Sequence, residues 1–429
     1  MIILIDLDGT LTNTAHPQFK EMKDGLVNTV LSSIPLINGS EEFIEYQKKI
    51  GNAPIIVSDS HPNYVNKIAS EVFNIEAISL ADKPNPQKTL SFINKSLSLK
   101  ELFNNRDNFL MIGDSWLDIE LGRRLNIKTV LAKFYISTSI EERDGIGQDW
   151  KPIKMGPTYY ANNFSDLNRI ITNPIDNLLA LESVFQGGNS TNAVNFKFHK
   201  YPNGFMAFRC LARQNDGECD RYARADKYYQ IDNPGRSSNF LKKLSKSAEN
   251  YINHVLSFDK FKWDYFSFVS DKSTTTPKNK MKEIFELVSV DIPKIQMFTW
   301  NDIVDGKLRN RPDYKSRRDF ISKNLHLDKS IDVKNKSIII LDDQFTSSAT
   351  AYEISTQLRE NGAKNILFIA LFYLILPVES KSCPNLVSDN VCGHPLKIRI
   401  RKSDGHKFYS CVPPKFGGQG CGYTETIKE

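Results

Sequence analysis

Three groups of residues in this chain have types and spacings that could do chemistry. The stretch IDLDGTLT places Asp6 and Asp8 two residues apart behind the apolar run MIILI, so on an extended strand both carboxylates leave the same face. Gly9 and Thr10 then turn the chain, and MIGDSWLD supplies Asp114 and Asp118 behind a second apolar run. Carboxylates gathered at neighbouring strand ends repel unless a hard cation lies among them, and Mg²⁺ shared with a substrate phosphate is the usual resolution. The second group is SIIILDDQFTSSATAYEIS. Asp342 and Asp343 could accept from two ribose hydroxyls, while Thr346, Ser347, Ser348, Ala349 and Thr350 open a helix whose first amides and hydroxyls suit a phosphate. The third is Cys383, Cys392, Cys411 and Cys421, separated by eight, eighteen and nine residues. Four thiolates bind Zn²⁺ tetrahedrally in closed, structural sites. Gaps longer than a compact CxxC leave disulfides or chance spacing as alternatives.

The elements that must position these residues are visible in the hydrophobic pattern. MIILI, APIIVS, FLMIG and KTVLA alternate with amphipathic segments, which predicts a parallel sheet covered by helices on both faces, with its chemistry at the carboxyl ends of the strands. A second α/β unit starts near Asn195 with NFKFHKYPNGFMAFRCLA, a hairpin turning at PNG, and continues through YFSFVS and KSIIILDD to a helix ending near Asn361-Gly362. The tail stretch GHPLKIRIRKSDGHKFYSC reads as two strands joined by an SDG turn. It has too little apolar mass for a core of its own, so a metal would supply the missing stability. The expected domains are residues 1–155, 156–380 with a core over about 195–376, and 381–429.

A length of 429 residues suits several domains, and a composition of 40% hydrophobic and 25% charged residues is that of soluble globular protein. The net charge of +6 permits contact with nucleic acid without requiring it. MIILI is broken by two acids and follows no basic leader, so it reads as a strand and not a signal peptide. The run Ile366 to Val378 is shorter than the roughly 20 residues a spanning helix needs. The expectation is a cytoplasmic protein with no membrane partner. Cys210 and Cys219 read as ordinary buried thiols, although a ligand role stays open.

DxDGT, a later strand ending in Ser58, Lys83 in ADKPNP and GDxxxD occur here in the order of the four motifs of the haloacid dehalogenase (HAD) superfamily, and the first domain resembles that family. The resemblance implies a magnesium-dependent phosphatase. Asp6 would be the nucleophile and form an aspartyl phosphate; Asp8 would protonate the leaving oxygen and then activate water. Ser58 and Lys83 would hold the phosphoryl oxygens, and Asp6, Asp114 and the carbonyl of Asp8 would hold Mg²⁺, with Asp118 orienting that shell. A chance acidic turn is the alternative for DxDGT alone. KEMKDGLVNTVLSSI, between the first two motifs, suggests a small cap of one or two helices, and small caps accompany large phosphorylated substrates.

The second group resembles the phosphoribosyl pyrophosphate signature of type I phosphoribosyltransferases, in particular the ComF-like branch. The resemblance places a pyrophosphate loop in YFSFVSDKSTTTPKNK, with Asp271, Lys272 and Ser273 as candidates, and an arginine-bearing segment in KLRNRPDYKSRR, from Lys307 to Arg318. A solvated charged loop explains that segment equally well. Ser348 stands where the family has glycine, a residue that permits strained torsions close to phosphate. The tail resembles the zinc ribbons of type IA topoisomerases. Arg399, Arg401, Lys402 and Lys407 beside Phe408 and Tyr409 combine charge with stacking surface, as sites for single-stranded DNA or RNA do, or the aromatics fill the ribbon's small core.

The sequence thus leads to an α/β fold class: a HAD Rossmann-like domain with a small cap, a phosphoribosyltransferase α/β domain, then a zinc ribbon. The function expected is hydrolysis of a phosphoester coupled to binding or transfer of a phosphoribosyl group, on nucleotides or nucleic acid, in salvage, repair or a stress or phage response. The competing reading makes the later domains a sensing platform that controls the phosphatase.

Overall fold

A computed structural model describes residues 1–134, 150–214, 238–258, 262–270, 280–301, 308, 311, 313–376, 378, 381–387, 390–394, 396–401, 407–411 and 421–427. The fold is mixed α/β and divides into two compact units, one containing Met1–Thr172 and Leu376–Glu429, the other Asn173–Cys219 and Ala223–Ile375.

In the first unit the strands are β1 (Ile2–Ile5), β2 (Ala53–Val57), β3 (Glu76–Ile78), β4 (Phe109–Gly113), β5 (Lys128–Ala132) and β6 (Tyr159–Ala161). They form a six-stranded sheet in the order β3-β2-β1-β4-β5-β6, and every pairing is parallel. β1 is buried at every residue between β2 and β4, and a strand covered on both faces needs the continuous apolar run seen in the sequence. The chain winds outward from β1 in one direction through β2 and β3, then returns to β4 on its other side. The resulting switch point between β1 and β4 is where open parallel sheets take ligands, and Asp6 sits there, its amide donating to the Ile112 carbonyl at 2.9 Å.

Two of these strands were not anticipated. β3 and β6 have only three residues each, too short for a periodic signal. Because β6 pairs with β5, the first unit continues to Thr172, past the residue 155 expected from the sequence. The closing helix, Phe164–Thr172, sets Phe164 against Phe43 and Phe134, with ring centroids 5.2 and 4.7 Å apart. The segment between the first two motifs leaves the end of β1 and returns to it: Asn13 donates to Pro35, and Ile37 donates to Leu11. Within it lie two 3₁₀ turns and one α-helical turn, Lys20–Lys23. This small insertion rests on the helix α1 (Pro62–Ile68), whose Lys67 reaches the Thr29 carbonyl at 2.9 Å.

The second unit holds a five-stranded sheet in the order β7-β8-β13-β12-β9, built from β7 (Val194–Tyr201), β8 (Gly204–Gln214), β9 (Tyr265–Phe268), β12 (Ser337–Phe345) and β13 (Asn365–Leu374). The hairpin β7–β8 is antiparallel and turns at the PNG triplet; the other pairings are parallel. A separate pair, β10 (Phe298–Trp300) and β11 (Leu325–Leu327), lies outside that sheet. β12 runs on to Phe345, past the pair of acids expected to end it, because Gln344 and Phe345 still pair with β13.

The tail contributes a short pair, β14 (Leu386–Val387) and β15 (Asn390–Val391), and a three-stranded antiparallel sheet of β16 (Leu396–Ile400), β17 (Lys407–Cys411) and β18 (Thr424–Thr426). Its apolar interior is Leu396 with the four cysteines, Tyr409 and Tyr423, as small as its composition predicts. Among the described residues, no helix is long and apolar enough to cross a membrane.

Candidate active site and metal centres

Asp6 follows β1 directly and is only 4% exposed. Gly9 takes the turn with φ at +91°, a conformation that costs glycine little. Lys83 reaches Asp6 Oδ1 at 2.7 Å and Asp118 Oδ1 at 2.6 Å, all three side chains being buried. Its backbone amide is anchored on Asp59 Oδ1 at 2.8 Å. Asp118 also accepts from the Ser115 hydroxyl at 2.6 Å and from the Ser115 amide at 3.0 Å, and the Ser115 side chain accepts in turn from the Asp118 amide, a capping box at the start of the helix α2 (Trp116–Arg124). Gly113 leaves the space for this: a Cβ there would lie 2.3 Å from Asp118 Cγ.

One oxygen from each of Asp6, Asp114 and Asp118 falls within 4.8 Å of the others. Burial first, then the charge of Asp118, push the Asp6 carboxyl well above the usual carboxylate range, and Lys83 opposes them. Burial would lower Lys83, yet Asp118 and Asp6 hold it well above its ordinary value. The two directions agree physically, since one cation serves several carboxylates and cannot neutralise them all. One ammonium leaves negative charge in the cluster unmatched, so the cluster fits a divalent cation that would supply the missing charge.

Asp8 is held by hydroxyl groups. Thr14 Oγ1 donates to Asp8 Oδ1 at 2.7 Å, Ser60 Oγ donates to Oδ2 at 2.9 Å, and the Tyr64 hydroxyl lies 3.0 Å from Oδ1. Burial, then Asp8, push the Tyr64 phenol above its ordinary value, so it remains a donor. Ser58 is more distant, 3.5 Å from Asp8 Oδ2, and accepts from the Ser60 amide. The Thr10 hydroxyl is buried with no hydrogen-bond partner among the described residues. Sequence reasoning missed Thr14, Ser60 and Tyr64. Ser60 could have been found as the next residue but one after Ser58 at a strand end; Tyr64 lies a helix turn away and carries no sequence signal.

In the second unit Asp342 is buried, while Asp343, Thr346, Ser347, Ser348 and Thr350 are half-exposed and Ala349 is buried. Ser348 caps the helix α3 (Ala349–Glu360) with φ +66° and ψ 4°. It thus adopts the left-handed backbone for which glycine was expected. Arg317 Nη1 lies 3.0 Å from Thr346 Oγ1 and 3.5 Å from Ser347 Oγ, so one member of the basic run meets the loop. Arg318 instead pairs with Glu353 at 2.9 Å. Asp271, Lys272 and Ser273 lie outside the described residues, as do Lys402 and Cys219. Cys210 is buried within β8.

The sulfurs of Cys383, Cys392, Cys411 and Cys421 all lie within 4.8 Å of one another. Cys383 and Cys421 are 3.4 Å apart, Cys392 and Cys411 3.7 Å. Tetrahedral bonds of about 2.3 Å to zinc set sulfurs about 3.8 Å apart, whereas a disulfide needs about 2.05 Å. Burial pushes Cys383 up to about 11 and Cys411 higher, while the Tyr423 amide, against burial, draws Cys421 down to about 6. A cation among them would displace the remaining protons. The two aromatics of the tail separate: Tyr409 packs with the cysteines, and Phe408 pairs in register with Arg399 on the opposite face, beneath Arg401 at 5.9 Å.

No family model matches the chain, and no curated protein matches it. Solved structures similar to it include a hydrolase from Pseudomonas syringae, at 16% identity over 40% of this chain and 97% of that one, with a TM-score of 0.30. A HAD-superfamily hydrolase from Ehrlichia chaffeensis matches at 16% identity over 40% and 95%, with a TM-score of 0.27. A phosphonoacetaldehyde hydrolase-like protein from Oleispira antarctica matches at 13% identity over 40% and 91%, with a TM-score of 0.31.

Proposed function

We propose that the first unit is a Mg²⁺-dependent phosphohydrolase of the HAD type, acting on the phosphomonoester of a nucleotide or nucleic acid. The observation that carries this is the buried cluster in which Lys83 bridges Asp6 and Asp118 beside Asp114, at the switch point of a parallel sheet. An Asp6 oxygen attacks phosphorus as the bond to the leaving oxygen breaks, and Asp8 gives that oxygen its proton. Asp8, now ionised, takes a proton from water, whose oxygen attacks the aspartyl phosphate and frees phosphate and Asp6. The hydroxyls of Thr14, Ser60 and Tyr64 fix the direction in which Asp8 presents that proton. Lys83 offsets charge on Asp6 and the transferred group. Asp6, Asp114 and the Asp8 carbonyl would hold Mg²⁺, with Asp118 orienting them, and the bound ion would supply electrostatic stabilisation of the phosphoryl oxygens.

The second unit, on this proposal, binds a ribose 5-phosphate group such as that of phosphoribosyl pyrophosphate through Asp342, Asp343 and the loop Thr346–Thr350. The left-handed Ser348 and Arg317 at Thr346 support it. Four thiols kept for a metal suit a reducing compartment such as the cytoplasm. The test is release of phosphate from an aryl phosphate with Mg²⁺, abolished in Asp6→Asn; wild-type turnover in that variant refutes the assignment. Calorimetric titration with phosphoribosyl pyrophosphate tests the second unit. Binding without pyrophosphate release in the presence of nucleobases favours sensing over transfer.

A further inference from the structure

The cap inserted after β1 is one helical turn and two 3₁₀ turns, too little to enclose the mouth of the site. A second element reaches that mouth: the four-cysteine ribbon, which belongs to the same compact unit. It touches the loops on both sides of the catalytic cluster. On the Lys83 side, His394 Nε2 lies 3.4 Å from Asp82 Oδ2, and Gly393 packs so closely that a Cβ would sit 3.1 Å from Gln87 Cγ. On the Asp114 side, Lys397 Nζ stands 5.4 Å from the centroid of Trp116, a ring that also receives Lys151 at 3.6 Å. Trp116 is two residues beyond Asp114, no more than about 7 Å along the backbone.

The face that the ribbon turns toward Trp116 is set by strand alternation. Lys397, Arg399 and Arg401 lie two residues apart on β16 and its end, so they share one face. Phe408 joins them through its pairing with Arg399. Leu396 lies on the other face with the cysteines. Arg399 and Arg401 are exposed, so a row of cations with an aromatic ring leads away from the active-site rim.

We propose that this ribbon serves the phosphatase as its substrate cap, and that the row from Trp116 and Lys151 through Lys397 to Arg399, Arg401 and Phe408 holds a single-stranded nucleic acid whose terminal phosphate enters at Asp6. This rests on the reading of the first unit as a phosphohydrolase. A polyanion carrying flat bases is what a line of cations interleaved with aromatic surface recognises. Lys397 and Lys151 neutralise the phosphodiester next to the scissile phosphate, and the remaining cations track the strand beyond it.

The test uses the full chain with Mg²⁺ and three substrates: an aryl phosphate, a nucleoside monophosphate, and a single-stranded oligonucleotide phosphorylated at its 5′ or 3′ end. Wild-type kcat/KM is expected to be highest for one of the oligonucleotides. Lys397→Glu is expected to lower the ratio of oligonucleotide to aryl phosphate kcat/KM by about tenfold or more, the loss of one charge-assisted contact, mainly through KM. Lys397→Arg should restore the ratio. The salt dependence of oligonucleotide KM should weaken by about one contact in Lys397→Glu. One zinc per chain in each variant shows that the ribbon is folded. A ratio unchanged by Lys397→Glu, or a nucleoside monophosphate turned over as well as the oligonucleotide, overturns the proposal. Aryl phosphate turnover that survives in Asp6→Asn would instead sink the phosphohydrolase reading, so the two failures are distinguishable.

Discussion

Replacing Lys83 with methionine should unfold the first unit at a markedly lower temperature as well as ending catalysis. The side chain is 5% exposed and its ammonium lies 2.7 and 2.6 Å from two carboxylates that are themselves buried. At an effective dielectric near 20, each contact represents about 6 kcal/mol of gross attraction. Desolvation offsets most of that, but removing one partner of a buried pair leaves the other charge uncompensated, which costs about 3–5 kcal/mol. For a unit of this size, roughly 2–4 °C per kcal/mol puts the fall in Tm between about 6 and 20 °C. The assay is thermal unfolding without metal, with Asp118→Asn and the double variant Lys83→Met/Asp118→Asn completing a cycle. Because the chain has two units, the transition of the first is identified as the one that Mg²⁺ raises. The expected coupling between Lys83 and Asp118 is about 1–3 kcal/mol. A drop below 2 °C in Lys83→Met, or strictly additive single effects, would refute the idea that this lysine neutralises the cluster.

Other predictions concern the remaining sites. Tyr64→Phe removes one hydroxyl from Asp8 without changing shape, and should lower kcat about tenfold with little change in KM, as steady-state kinetics on an aryl phosphate would show. Cys421→Ser should reduce zinc, measured by elemental analysis, from about one per chain to much less, and expose the ribbon to proteolysis at lower protease concentrations. Ser348→Gly relieves a left-handed backbone that costs a residue with a Cβ about 1 kcal/mol. It should raise the unfolding midpoint of the second unit slightly, whereas Ser348→Val should lower it. Equal midpoints for both variants would mean that the φ of +66° is not adopted.

Much of the architecture was legible in the sequence because burial on both faces imposes a continuous apolar run. MIILI, APIIV, FLMIG and KTVLA are such runs, and each is a strand of the first sheet. The PNG turn was legible through its torsional demands. β3 and β6 were not, since three residues cannot show a period, and neither was the continuation of β12 beyond its two acids, which depends on a partner in β13.

By itself the sequence determined which residues carry charge, thiol and hydroxyl chemistry, and where strands must end so that Asp6, Asp8, Asp114 and Asp118 fall just beyond them. Those are local facts of side-chain type and hydrophobic period. Only the tertiary structure decided that Lys83 bridges Asp6 to Asp118, that Thr14, Ser60 and Tyr64 converge on Asp8, that Phe408 and Tyr409 part to opposite faces, and that the ribbon meets Asp82 and Trp116. Each of these joins residues distant in the chain or turned by strand register. The physical reason is that such proximity follows from how the sheets pack and wind, which no single segment encodes.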